Sequence, residues 1–118
     1  MNDLGINSVS YTEFNDFLKI YGIPRTDAED GELALTKADT VKALNLLADT
    51  EVGILGGDVY ELENDGYFRP TYDNWYCNKE DSSSIEFSEK SREKALTYLS
   101  NYNEAKGLKI RYVLVVDS

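Results

Sequence analysis

Apolar residues recur along this chain with two periods, and the change from one to the other divides it. Over residues 8 to 21, SVSYTEFNDFLKIY, the side chains of Phe14, Phe17, Leu18 and Tyr21 fall at i, i+3, i+4 and i+7, the stripe of one helical face. Gly22 and the Pro24 that follows end that helix. Thr36-Lys37-Ala38-Asp39 has the form of a capping box, the hydroxyl accepting from a first-turn amide while the acid favours the positive helix end. A second helix over 36–49 follows, with Val41, Leu44, Leu47 and Ala48 inward and Leu46 at the margin. From residue 52 the period becomes two: VGILGGDVYEL, then Asn64-Asp65-Gly66, then YFRPTYDNWYC read as strand, tight turn, strand. Gly56-Gly57 inside the first strand predicts a bulge or a close backbone approach, and Pro70 marks an edge or a break in the second.

The helical period returns after a polar loop, KEDSSS at 79–84. Ser83-Ser84-Ile85-Glu86, or Ser88, caps a third helix running to about residue 106, with Ala95, Leu96, Leu99 and Tyr102 inward and Gly107 as its left-handed terminator. LKIRYVLVV closes the chain as a strand, and the run Val113 to Val116, apolar on both faces, predicts a place inside the sheet. The acidic stretch TDAEDGE at 26–32 reads as an exposed loop. These elements make residues 1–118 one α+β domain: a small, mostly antiparallel sheet with a central hairpin, packed against two to three helices.

Composition narrows the chemistry. The chain has no His and one Cys, Cys77, which removes imidazole bases, Cys-His pairs, intrachain disulfides and the usual zinc sites. Catalysis would have to rest on carboxylates, Tyr, Lys or a carboxylate-held metal. Net charge is -10, and all of the surplus lies in the first part: residues 1–66 carry 14 acids against 4 bases, residues 67–118 carry 8 and 8. Such a field repels nucleic acid and anionic membranes, and it accelerates encounter with a basic protein. With no apolar run of membrane-spanning length and no signal-like amino terminus, the expected compartment is the cytoplasm.

Individual motifs fail as catalytic or ligand sites. GILGGD at 53–58 lacks the Lys-Ser/Thr of a phosphate loop and leads into a strand, where phosphate binding needs a helix start. ELENDG at 61–66 echoes a calcium loop, yet Tyr72 stands where a bidentate Glu is needed, so neither metal nor cofactor is expected. Asp58 and Asp73 could meet across the hairpin as a paired acid and base beside Trp75, which leaves a small ligand-binding or hydrolytic domain as the alternative reading. Against it, the sequence supplies no nucleophile, oxyanion hole or metal partner, and Cys77 has no base to activate it. The bland reading makes each aspartate an acceptor of backbone amides.

YDNWYC at 72–77 gathers the only Trp, the only Cys and two Tyr around a carboxylate. Alternation puts Asp73, Trp75 and Cys77 on one face and Tyr72, Asn74 and Tyr76 on the other, where tyrosines make strong interface anchors, or a dimer face for a self-associating protein. GILGGDVYEL (53–62) and PTYDNWYC (70–77), preceded by GELALTKADTVKALNLL (31–47) and followed by a helix and YVLVV (112–116), resemble the bacterial immunity protein family numbered forty, from polymorphic toxin systems. The resemblance spans about residues 22–116 and leaves the first helix unmatched. It implies a protein that is not an enzyme and that binds and blocks a cognate toxin domain. The expected toxin-binding residues are Asp58, Tyr60, Glu61, Glu63, Tyr72, Asp73, Asn74 and Tyr76, with Gly56, Gly57, Trp75 and Cys77 holding the motif together.

Overall fold

The computed structural model describes residues 3–24, 32–79 and 83–117, with side chains from Tyr11 onward. Its elements run α1 (Asp3–Tyr21), β1 (Ile23–Pro24), β2 (Leu33–Ala34), α2 (Lys37–Leu46), β3 (Gly53–Leu62), β4 (Phe68–Tyr76), α3 (Ser84–Asn101) and β5 (Ile110–Asp117). This is the expected α+β fold, with a short ribbon, β1–β2, that the sequence reading did not contain. The acidic loop at 26–31 and positions 80–82 of the polar loop lie outside the described residues.

Both predicted helix starts are capped by the residues that announced them. Thr36 Oγ1 accepts from the amide of Asp39 at 3.2 Å and opens α2. Ser83 opens α3 with a reciprocal box, its hydroxyl accepting from the Glu86 amide at 3.1 Å and its own amide donating to Glu86 Oε1 at 3.3 Å. Hydrogen bonds from the Ser83 backbone and hydroxyl, with Lys90 adding to them, hold the Glu86 carboxyl below its ordinary range. The first helix starts earlier than expected, at Asp3, and Tyr21, expected inward, is exposed. The third helix stops earlier, at Asn101. Tyr102 turns extended there and its carbonyl accepts from Lys37 Nζ at 2.8 Å, so Gly107 serves a later turn, with φ of 88°, just before β5.

Three antiparallel strands form the main sheet in the order β4-β3-β5. The closing strand therefore stands at the margin of the sheet, and β3 is the interior strand. The apolar run misled because apolarity on both faces reports layers above and below, not neighbours at each edge. Tyr112, Leu114 and Val116 pack on the helical side and Val113 on the other. At its outer edge β5 is met by a single bridge, in which Leu35 and Tyr112 exchange hydrogen bonds of 2.8 Å. Glu63 to Tyr67 close the hairpin as predicted, with Gly66 at φ 88° and the Tyr67 amide donating to Asp65 Oδ1 at 2.9 Å.

The sheet has a helical side and an outer side. α3 lies on β3, α2 touches α3 and β5, and α1 packs on α2. Phe14, Leu44, Leu47, Ile54, Val59, Trp75, Leu99 and Tyr112 form the main core between helices and sheet. A smaller cluster, Ala34, Tyr60, Phe68 and Val113, covers the hairpin end of the outer side. Each large side chain so buried contributes about 1.5–3 kcal/mol against the ordering entropy of the chain.

Candidate protein-binding face

The double glycine and the Trp belong to one device. A Cβ on Gly57 would run into the six-membered ring of Trp75, and one on Gly56 would collide with the Trp75 carbonyl, so only glycines let β4 lay its indole across β3. The register also slips between Ile54 and Gly56 against β5, so the bulge and the close approach are both present. The amide of Ile54, beside that slip, donates to the buried Ser91 hydroxyl at 2.9 Å. Trp75 is 6% exposed and stacks on Tyr98 with ring centroids 4.6 Å apart. From there aromatic contacts continue to Tyr102 at 5.8 Å and Tyr112 at 5.9 Å.

Asp73 joins this device. Its Oδ2 accepts from the Tyr102 hydroxyl at 2.7 Å, just as Glu104 accepts from Tyr112 at 2.7 Å. Burial and then the bond to Asp73 push the Tyr102 phenol up to about 12, and burial with the bond to Glu104 raises Tyr112 as well. Cys77 is half-buried; desolvation raises its thiol pKa, opposed only by Lys94, which leaves it a poor nucleophile.

Between Pro70 and Asn74 the pairing with β3 breaks, because three residues of β4, Thr71 to Asp73, span the stretch opposite Val59. Thr71 organises the bulge: its hydroxyl donates to the Val59 carbonyl at 2.8 Å and accepts from the Asp73 amide at 3.1 Å. Tyr72 sits at the apex with φ of 69°, a left-handed conformation rare for a bulky residue, and its side chain is 86% exposed. The Asn74 amide reaches back to the Tyr72 carbonyl at 3.4 Å.

The expected site residues thus fall into separate groups. Asp58, Asn74 and Tyr76 share the outer face, since Gly57 and Val59 turn toward the helices and Asp58 pairs with Asn74 in register. Tyr72 projects from the bulge beside them. Tyr60, only 8% exposed, lies in the small outer cluster. Glu61 and Glu63 face Arg69 near the turn, Glu61 in a direct ion pair and Glu63 at 3.9 Å. Asp73 points to the helical side.

That separation overturns one expectation. Asp58 and Asp73 do not meet as an acid-base pair, because they occupy opposite faces of the sheet. The hollow beside Trp75, about 420 Å³, is lined by Asn74, Tyr76, Asn78 and Lys94, and a neighbouring open groove of about 530 Å³ runs along α3 past Lys90, Lys94 and Tyr98. Neither contains either aspartate. Among the described residues no group of three acidic or Cys side chains is close enough to hold a metal ion.

Sequence reasoning missed Tyr98, Lys94, Thr71 and Arg111. Lys94, Tyr98 and Tyr102 recur every four residues along α3, a stripe that was readable as a face turned toward β4. Lys94 Nζ donates to the Tyr76 carbonyl at 2.7 Å and lies 5.9 Å from the centre of the Tyr76 ring, closing part of the free edge of β4. Arg111 on β5 gives Nη1 to the Ile110 carbonyl at 2.8 Å and has a buried Nε with no partner among the described residues.

No helix among the described residues is long and apolar enough to cross a membrane. No curated protein and no solved structure matches the chain. A family model does: immunity protein 40 matches residues 17–116, from the last turns of α1, which the earlier resemblance left out, to the end of β5. With that match over most of its length, the chain belongs to the immunity protein 40 family, a family of immunity proteins of toxin systems.

Proposed function

We propose that the chain neutralises a cognate toxin domain, encoded in the same polymorphic toxin system, by covering its surface in the cytoplasm without transforming it. Family membership carries the reading. The charge of -10 favours a basic partner, such as a nuclease domain, and sets a fast encounter, while aromatic side chains set the lifetime of the complex. Tyr72 and Tyr76, 86% and 66% exposed, supply rigid anchors beside Asn74 and Asp58, and the hairpin acids Glu61 and Glu63, grouped with Arg69 near the turn, offer a second, separate contact.

The experiment is direct. Purified chain and the toxin domain encoded beside it should co-elute from a size-exclusion column as a complex, and the toxin's activity should fall in proportion to complex formed. Two folded partners that elute separately at micromolar concentration would end the proposal.

A further inference from the structure

Register alone defines a shallow trough on the outer face of the sheet. Its floor is β3, where Gly56 carries no side chain and Asp58 follows two residues on. Tyr76 and Asn74 on β4 stand on one side, and Val115 and Val113 on β5 stand on the other. The small outer cluster covers Val113 and Tyr60 at the hairpin end, while Tyr76 and Val115, 66% and 39% exposed, leave the other end open.

Asp58 sits half-buried in the middle of this floor, and no hydrogen bond or ion pair among the described residues reaches its carboxylate. Other cations of the strands and α3 are engaged elsewhere: Lys94 with the Tyr76 carbonyl, Lys79 with Asp117 at 2.8 Å, Arg69 with Glu61. Arg111 is its diagonal neighbour on β5, yet forms no ion pair with it and donates to its own strand. The other acids of the motif are compensated, Asp73 by the Tyr102 hydroxyl and Glu61 by Arg69. A half-buried carboxylate set between Asn74 and Val113, with no partner among the described residues, attracts an incoming cation more strongly than one in open water.

We infer that Asp58 is the anchor of the toxin interface: a lysine or arginine of the toxin domain enters the trough between Tyr76 and Val115 and pairs with it. The inference rests on the proposed function and names the side of the sheet that acts. Asp73 and Trp75 then shape β4 from behind and do not touch the toxin.

Affinity for the toxin domain encoded beside the chain tests this, with three proteins compared: the natural chain, Asp58→Asn, and Glu89→Gln. Glu89 is exposed on α3, on the opposite side of the sheet, so both variants change net charge equally. Asp58→Asn should keep its melting temperature, having no internal partner to lose, and weaken binding on the order of thirty-fold or more through faster dissociation. Glu89→Gln should weaken it by about threefold at most. Equal affinities for Asp58→Asn and the natural chain overturn the anchor while leaving the proposed function standing. Failure of the natural chain to bind, both partners being folded, overturns the proposed function and the anchor with it.

Discussion

The same two strands present an aspartate and an aromatic to each side of the sheet, and the two pairs have opposite fates. On the helical side Trp75 is stacked on Tyr98 and Asp73 is bonded to Tyr102. On the outer side Tyr76 is exposed and the Asp58 carboxylate has no partner among the described residues. Residue type does not separate the pairs; what lies over each face does. α3 brings a stripe of tyrosines and Lys94 to one side, whereas among the described residues the other carries only the small cluster near the hairpin end. The difference teaches that on a thin sheet a single strand can carry structure on alternate residues and leave those between open to solvent.

The comparison is broken most severely from the helical side. Trp75→Ala removes the indole that fills the space above Gly57 and should cost about 3–5 kcal/mol of stability, as large aromatic truncations in cores do. Urea denaturation reads the loss directly. A cost under about 1 kcal/mol would mean that the helical side is no more structural than the outer one, and the division would fail.

Much of the frame was legible because it is written locally. Thr36 and Ser83 announce their helices through bonds three residues long, and Asn64-Asp65-Gly66 closes its turn within five residues. What was not legible depends on distant partners. Strict alternation correctly put Asp73 with Trp75, but it could not show the bulge at Thr71 to Asp73, which exists because Thr71 bonds across to Val59. Nor could it tell that Tyr60 would be roofed, or that Asp58 and Asp73 would part company, since both outcomes depend on what packs on each face. Gly107 was read as a helix terminator from its type, yet α3 ends where Tyr102 meets Tyr98, Tyr112 and Lys37, contacts spread over the chain.

A milder change sharpens the comparison at Asp73. Tyr102→Phe keeps the ring contacts and deletes the hydroxyl that Asp73 accepts, at a cost of about 1 kcal/mol or less for a bond near the surface. The pH dependence has a definite sign. The phenol's folded pKa of about 12 stands above its ordinary value of 10.0, so the folded state holds the proton longer than the unfolded chain does. This contribution is complete below pH 10 and is lost as pH rises toward about 12. Alkaline unfolding of the natural chain should therefore steepen in that window, and Tyr102→Phe should flatten it. Identical alkaline profiles would show that Asp73 and Tyr102 do not hold one another in solution.

The smallest expected effect lies at the bulge and runs in the opposite direction. Tyr72 holds a left-handed backbone with its ring in solvent, so the folded state bears a conformational cost with no packing to offset it. Asn tolerates that conformation far better than Tyr. Tyr72→Asn should therefore raise stability, by a few tenths to about 1 kcal/mol, which a shift in the urea midpoint at unchanged slope would record. If Tyr72 is an anchor for the toxin, the same variant should bind it more weakly although it is better folded. Opposed changes in stability and affinity are the mark of a residue kept for recognition at the expense of the fold. A Tyr72→Asn protein that loses stability would place the ring among the groups that hold β4 together, and would move the boundary between structure and recognition outward by one residue.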